Sequence, residues 1–217
     1  MICIIPARGG SKRIPRKNIR EFYGKPIISY PISIAINAGY DVIVSTEDSE
    51  IAEIAESYGA DIHFRADYLA EDKVELEDVL YDVLNYEDDI ACMMLPTAVF
   101  IKPEDLATAE KMLGKYDVVY SITRFEYPPQ RALVNSNGCI RMVSPEHRNS
   151  QDIQALYHDA AQFYTFNVWP FLDGWEQGLR LLELPAYGIE YLPSEVQDID
   201  TPEDWIIAEM KYKARGL

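Results

Sequence analysis

Short apolar runs alternate with helix-period stripes along most of this chain, and that rhythm leaves few folds open. Ile2–Ile5, Val42–Val44 within Asp41–Ser45, Ile90–Leu95 and Val118–Thr123 are mostly apolar and lack the in–out alternation of a half-buried strand. Between them lie helical stripes. Ile51, Ile54, Ala55 and Tyr58 recur at i, i+3, i+4 and i+7, and Leu76, Val79, Leu80, Val83 and Leu84 repeat the spacing. Pro26 to Ala38 reads as a mostly apolar helix stopped at Gly39. Pro103 opens another to about Leu113, with Glu104-Asp105 in its first turn. Strands that are apolar on both faces need cover on both faces. The expectation is therefore an α/β protein, a doubly wound, mostly parallel sheet with helices on both faces. Ala60–Phe64, Gln162–Val168, Ile189–Leu192 and Val196–Ile199 read as shorter strands. Pro202 to about Ala214 reads as a closing helix whose stripe Trp205, Ala208 and Tyr212 belongs to the core. The rhythm breaks between Phe125 and Tyr157. There Pro128-Pro129, Asn137-Gly138 and the polar stretch His147–Asp152 predict loops and a hairpin, a small arm on one domain spanning 1–217.

Charge singles out one stretch of this frame. The formal net charge is −16, which argues against a general nucleic-acid or anionic-membrane surface, since both need extended basic faces. Yet seven cations, Arg8, Lys12, Arg13, Arg16, Lys17, Arg20 and Lys25, crowd together against the single acid Glu21. Residues 26–217 carry 13 basic and 35 acidic side chains, so the island stands against the prevailing charge. Such an island attracts a small, dense polyanion, and a nucleoside triphosphate has that character. Cys3, Cys92 and Cys139 lie far apart with no zinc-like spacing, and the first two fall in apolar runs, so reduced, buried thiols are expected there. No apolar run approaches the ~20 residues of a membrane span, and no signal peptide precedes the first strand, so a cytoplasmic location is expected.

The island's core reads Ile5-Pro6-Ala7-Arg8-Gly9-Gly10-Ser11-Lys12-Arg13-Ile14-Pro15-Arg16-Lys17-Asn18. In parallel α/β sheets ligands bind beyond the carboxyl ends of the strands, where this loop belongs. Gly9 and Gly10 let the backbone approach a ligand and turn its N–H groups outward. Lys12, Arg13 and Lys17 supply mobile positive charge for phosphates. The spacing is neither Gly-x-x-x-x-Gly-Lys-Ser/Thr nor Gly-x-Gly-x-x-Gly, which disfavours P-loop hydrolases and dinucleotide dehydrogenases. The plain alternative is a solvated basic loop with turn glycines.

Near the other end stands Val196-Gln197-Asp198-Ile199-Asp200-Thr201-Pro202. On an extended segment residues i and i+2 face the same way, so Asp198 and Asp200 present two carboxylates side by side while Ile199 enters the core. Adjacent carboxylates repel unless a cation sits between them. Mg2+ is usually held by one or two carboxylates, with waters and substrate phosphates filling the octahedron. Thr201 with Asp204 also reads as a helix N-cap, which accounts for Thr201 onward but not for Asp198. In Tyr157-His158-Asp159-Ala160-Ala161-Gln162-Phe163-Tyr164, polar residues open a strand. That pattern suits a polyhydroxylated ligand, or equally a polar loop entering a strand. Arg65 follows the Ile62-His63-Phe64 strand, and composition alone gives a solvated face there.

The first loop, followed in order by Val44-Ser45-Thr46-Glu47-Asp48, Pro96-Thr97 and Asp198-Ile199-Asp200-Thr201, resembles the cytidylyltransferases that activate sialic acids and related nine-carbon acids. The resemblance covers essentially the whole chain. Arg148-Asn149-Ser150-Gln151-Asp152 with Tyr157–Tyr164 is most similar to the branch of that family acting on pseudaminic acid. The resemblance implies a nucleotide-diphospho-sugar transferase (GT-A-like) fold and transfer of CMP from CTP to a nonulosonic acid, releasing pyrophosphate. It also implies Mg2+ as cofactor and a homodimer with the 125–157 arm at its interface. Carried over by position, it implies Arg8 and Asn18 at the cytidine end, with Gly9, Gly10, Ser11, Lys12 and Lys17 around the triphosphate. Asp198 and Asp200 match metal-binding carboxylates, Arg65 an arginine near the nucleotide, and His158, Asp159 and Gln162 would face the sugar acid. Leu95, Val99 and Ala161 depart from the pattern, where relatives often carry a larger polar residue, proline and glycine respectively; these bear on the choice of sugar. Rival expectations are the same reaction on a sialic or legionaminic acid, a nucleotide-sugar-dependent glycosyltransferase, and a non-catalytic nucleotide-binding regulator, which would have no use for the paired acids.

Overall fold

In the computed structural model, which describes residues 1–143 and 153–216, the apolar runs do become strands. In chain order they begin with β1 (Ile2–Pro6), the short β2 (Glu21–Phe22) and β3 (Lys25–Pro26), α1 (Ser29–Asn37), β4 (Asp41–Thr46) and α2 (Ser49–Ser57). Next come β5 (Asp61–Phe64), α3 (Leu76–Val83), β6 (Ile90–Met94), α4 (Pro103–Met112) and β7 (Val118–Arg124). The chain finishes with β8 (Leu133–Ser136), β9 (Cys139–Met142), β10 (Tyr157–Asn167), α5 (Val168–Glu176), β11 (Ala186–Tyr191) and α6 (Pro202–Arg215). The polar stretch His147–Asp152 and the Arg148–Asp152 motif lie outside the described residues.

Seven strands form one sheet in the order β11-β7-β10-β6-β1-β4-β5. All neighbours are parallel except β10, which runs antiparallel to both β6 and β7. Ile4 and Ile5 are successive residues of β1 and both are fully buried, each in a different core cluster on opposite faces of the sheet. Two-sided burial of this kind is what gives β1 an unbroken apolar run. Cys3 and Cys92 are buried neighbours on β1 and β6, while Cys139 is exposed. No helix among the described residues is long and apolar enough to cross a membrane.

Three departures from the sequence reading have local causes. The chain turns at Tyr23 and Gly24, both at positive φ (47° and 81°), pairing Lys25–Pro26 with Glu21–Phe22 and delaying α1 to Ser29. Such a two-residue turn matches the strand twist, but Tyr-Gly is a weaker signal than Asn-Gly. β10 ends at Asn167, and the residues after it form α5 rather than more strand or loop. Pro170 is tolerated because it sits in the first turn, where its missing N–H has no helical partner. Val196–Ile199 joins no ladder and runs as an unpaired connector into α6. The Asn137-Gly138 hairpin forms as expected and makes a separate two-stranded sheet of β8 and β9.

One cluster explains how the basic loop and the acid pair, far apart in sequence, are held together. Phe22, at the loop's exit, is fully buried and meets Tyr30, Trp205 and Tyr212 edge-on at centroid distances of 5.7, 5.6 and 5.2 Å. Each such pair is worth roughly 0.5–1.5 kcal/mol beyond the area it buries. Arg20 lies 4.7 Å over the Trp205 ring. Trp205 begins the second turn of α6, just after the acids, so the cluster fastens one end of the loop to the segment that carries Asp198 and Asp200.

Candidate active site

β1 delivers the basic loop, and the segment after β4 shapes it. Arg16 adopts a left-handed backbone (φ 55°) and pairs with both Asp48 and Glu50. Asp48 also caps α2, accepting from Glu50 N at 3.0 Å and Ile51 N at 3.1 Å. The Arg16 guanidinium holds the Asp48 carboxyl below its usual range. The loop packs so closely here that a Cβ on Gly9 would sit 2.2 Å from Asp48 Oδ2 and 3.1 Å from Asp48 Cβ. Gly9 is thus required by close approach rather than by its φ. Gly9→Ala is expected to displace the Asp48 cap and weaken CTP binding at least tenfold by calorimetry, with the melting temperature only modestly lowered; unchanged affinity would contradict this packing role.

The Gly9 N–H does not turn toward a ligand. It donates to Glu47 Oε1 at 2.7 Å, while Glu47 Oε2 accepts from Arg65 Nη2 at 2.9 Å. Glu47 therefore ties the loop to Arg65, whose side chain is 3% exposed. Arg65 is a buried, paired group on a cavity wall and not part of a solvated face.

That cavity, about 340 Å3, falls in the range of small-molecule clefts. It is lined by Arg8, Ser11, Lys12, Arg13, Lys17, Asn18, Arg65 and Asp200, together with Leu95, Pro96 and Thr97 after β6. Gly9 and Gly10 are not among the lining residues, and Gly10 is exposed. Asn18 is buried and donates through Nδ2 to Arg8 O at 2.9 Å, so it braces the loop from within. The cations of the cavity are held by acids. Arg8 (2.9 Å) and Lys12 both pair with Asp72, and Arg13 (2.9 Å) and Lys17 (3.3 Å) with Asp200. The Lys12 ammonium, helped by Arg8, holds the Asp72 carboxyl below its usual range. Exposed pairs of this type are worth only about 0–1 kcal/mol each. Charge-assisted hydrogen bonds to a phosphate are worth roughly 1.5–3 kcal/mol. A polyphosphate can therefore exchange for Asp72 with a net gain.

A second cavity, about 420 Å3, is lined by Thr123, Arg124, Phe125, His158, Asp159, Gln197, Asp198 and Lys211, among others. His158 packs on Phe125 with ring centroids 4.6 Å apart, and its Nδ1 bonds Asp159 O at 2.8 Å. A carbonyl only accepts, so Nδ1 carries a proton in this contact. Asp159 accepts from Ala161 N at 2.7 Å and from the Tyr164 hydroxyl. These bonds stabilise a bulge in β10 where Ala161 takes a positive φ of 54°, the backbone that a glycine would supply more readily.

The two acids, expected side by side on one face, open into one cavity each, because the 196–200 segment joins no ladder and strict strand alternation is not imposed on it. Ile199 between them is fully buried, Asp200 opens into the first cavity and Asp198 into the second. Asp198 is exposed at the mouth of the second cavity, with its carboxyl crowded by neighbouring groups. Burial pushes its carboxyl pKa up, and neighbouring Asp200 pushes it further. Asp198 accepts no hydrogen bond through its side chain from a described residue, whereas Asp200 is neutralised by Lys17 and Arg13. Among the described residues no group of three or more His, Cys, Asp or Glu could cage a metal. The donor set fits a hydrated, oxygen-loving cation that completes its shell with substrate phosphates, and does not fit an all-protein cage.

The structure thus places ten of the expected residues on the walls of two adjoining cavities, leaves Gly9 and Gly10 outside the lining, and corrects a second placement besides that of the acids. Gln162, expected to face a sugar, is fully buried and lines neither cavity. Four contributors had been given no role beforehand. Glu47 and Asp72 hold the nucleotide-side cations, and Arg124 and Lys211 put positive charge on the second cavity. Lys211 spends its three hydrogens on Pro193 O (2.7 Å), Val196 O (2.8 Å) and Gln197 Oε1 (2.9 Å). Nothing in the spacing of these four could have marked them, since their roles depend on partners from distant segments.

Comparison with known proteins places the chain in one family and one fold. The family described as cytidylyltransferase matches residues 2–212. The pseudaminic acid cytidylyltransferase of Campylobacter jejuni subsp. jejuni serotype O:2 is 38% identical over 98% of this chain and 96% of its own. The CMP-N,N'-diacetyllegionaminic acid synthase of Legionella pneumophila subsp. pneumophila is 31% identical over 96% of this chain and 94% of its own. The fold is similar to that of CMP:2-keto-3-deoxy-manno-octonic acid synthetase complexed with CTP, at a TM-score of 0.75 and 21% identity, covering 100% of this chain and 99% of that one.

Proposed function

The chain belongs to the cytidylyltransferase family, and from that premise we propose that it transfers CMP from CTP to a nonulosonic acid, pseudaminic acid being the acid its relatives favour. The observation that carries this reading is the pair of cavities joined at Asp198-Ile199-Asp200, a cation-lined one for the nucleotide and a polar one for the acceptor. In the first, Lys12, Arg13 and Lys17 give up Asp72 and Asp200 for phosphate oxygens, and Arg8 and Asn18 shape the cytidine end. In the second, His158 and Asp159 receive the sugar hydroxyls. The anomeric oxygen attacks the α-phosphorus, the bond from that phosphorus to the bridging oxygen of the β-phosphate breaks, the hydroxyl proton passes to solvent water, and pyrophosphate leaves. Lys12 and Lys17 balance the charge gathering on the pyrophosphate; alignment and charge neutralisation make up most of the catalysis such a transfer requires. Asp198 and Asp200 would hold Mg2+, which when bound adds Lewis-acid charge at the α-phosphate and lowers the pKa of an adjacent hydroxyl.

We further propose that the acid's carboxylate is read by Arg124. Lys211 has no hydrogen left to donate, so Arg124 is the other cation on the second cavity. Arg124→Ala is expected to raise KM for the sugar acid roughly tenfold or more while leaving KM for CTP unchanged, the cost of one charge-assisted contact. Pyrophosphate release measured over a panel of pseudaminic, legionaminic and sialic acids tests both statements. Equal rates with all three would remove the choice of sugar, and an Arg124→Ala effect on CTP alone would remove the carboxylate contact. A homodimer is proposed from the β8–β9 hairpin, which leaves Leu133 and Ile140 exposed on an arm that pairs with no other strand among the described residues.

A further inference from the structure

Gln162 is fully buried, yet its polar groups reach four separate segments. Its Nε2 donates to Ala160 O at 3.0 Å and Ala161 O at 3.2 Å, holding the two carbonyls of the β10 bulge. The same nitrogen reaches Gln197 O at 3.4 Å, the carbonyl immediately before Asp198. Its backbone N–H donates to Ser121 Oγ on β7 at 3.1 Å. Its carbonyl accepts from Leu95 N at 3.3 Å, where the chain leaves β6 for Pro96-Thr97 on the nucleotide cavity. The walls of both cavities and the acid segment therefore converge on this one residue. Two hydrogens on Nε2 serve three carbonyls, and Oε1 is buried with no partner among the described residues. An apolar side chain would fill the space without leaving an acceptor unmet, so the amide is retained for where it ties the backbone.

We infer that Gln162 is a positioning residue that fixes the acid segment, and Asp198 in particular, at the acceptor cavity, rather than a contact to the sugar. The unpaired Val196–Ile199 connector has no ladder of its own, and Gln162 supplies a lateral tie from the sheet. This inference rests on the reading of Asp198 and Asp200 as the metal-holding pair. Partners that orient metal-ligating groups typically change metal affinity or activity by roughly 10- to 100-fold when removed.

The test compares parent, Gln162→Met and Gln162→Glu. Mn2+ binding is followed by electron paramagnetic resonance in the presence of CTP without acceptor, alongside steady-state kinetics and thermal melts. Gln162→Met is expected to lose roughly 10- to 100-fold in Mn2+ affinity and a similar factor in kcat, with KM for the sugar acid within about twofold of parent. Gln162→Glu, nearly isosteric but able to donate through at most one hydrogen, is expected to fall between the two. If the Met variant fails to fold, the Glu variant carries the comparison alone against parent. A rise in KM for the sugar acid with Mn2+ affinity and kcat intact would make Gln162 a substrate contact and overturn the inference. Parent-like Mn2+ affinity and kcat in the variants would overturn it as well. A parent protein that binds Mn2+ but transfers no CMP would instead overturn the proposed function, and the Mn2+ titration would still decide for Gln162.

Discussion

Asp200→Asn is expected to lower turnover by two to three orders of magnitude while the protein remains folded. Lewis-acid stabilisation at a phosphoryl centre is worth several kcal/mol, and each ~1.4 kcal/mol is a factor of ten in rate. The fold should survive because Asp200 contributes little to it. Its partners Arg13 and Lys17 form partly exposed pairs, of the kind worth about 0–1 kcal/mol each. Its backbone N–H remains bonded to Asp204 Oδ2 at 3.2 Å, inside the capping box of α6. Circular dichroism and melting temperature check the fold, and turnover as a function of Mg2+ checks the role. Near-parent turnover of the variant at limiting Mg2+ would remove Asp200 from the metal site.

The second large effect is expected from Lys17→Ala. The Lys17 side chain is 22% exposed, and Nζ donates to Ile199 O at 2.7 Å and Asp200 Oδ1 at 3.3 Å. Among the described residues it is the one cation of the loop that bridges to the backbone of the acid segment. Removing it deletes a charge from the nucleotide cavity and cuts one of the ties between the two halves of the site, leaving the Arg13–Asp200 pair. A charge-assisted hydrogen bond of about 1.5–3 kcal/mol corresponds to roughly a ten- to hundredfold loss in kcat/KM for CTP. Lys17→Arg is not expected to restore it, since a planar fork does not replace a compact ammonium between a carbonyl and a carboxylate. An unchanged kcat/KM for CTP in the Ala variant would remove Lys17 from the transfer step.

Much of this architecture is legible in the chain because the signals are local. Ile4 and Ile5 are each buried on their own face of the sheet, and that alone makes β1 read as a two-sided, parallel-sheet strand. The Thr201–Asp204 capping box marks the start of α6 to the residue, and Asn137-Gly138 marks its hairpin. The reversal of β10 is not legible, since an apolar run carries no record of its direction relative to its neighbours. α5 was hidden by Pro170 and Gly174, whose cost depends on where in the helix they fall. Within the site, the charge island and the acid pair showed themselves through composition and period. Asp72, Glu47 and Arg124 did not, because an exposed acid or arginine looks the same in sequence whether it faces solvent or a cavity. Gln162 was placed at a sugar by its neighbours in the Tyr157–Tyr164 segment. The β10 bulge turns it inward instead, and the register shift that does so begins at Asp159, whose carboxylate accepts from the Ala161 N–H.

The claim that CMP passes from CTP to a nonulosonic acid is tested most directly by following label. The purified protein is incubated with Mg2+, pseudaminic acid and CTP labelled either at the α- or at the γ-phosphate, and the products are separated. The expected result is that α-label appears in a sugar–CMP conjugate only when the acid is present, while γ-label appears wholly in pyrophosphate. Label from the γ-phosphate on the sugar, or release of α-label as CMP at the same rate without any acid, would contradict it.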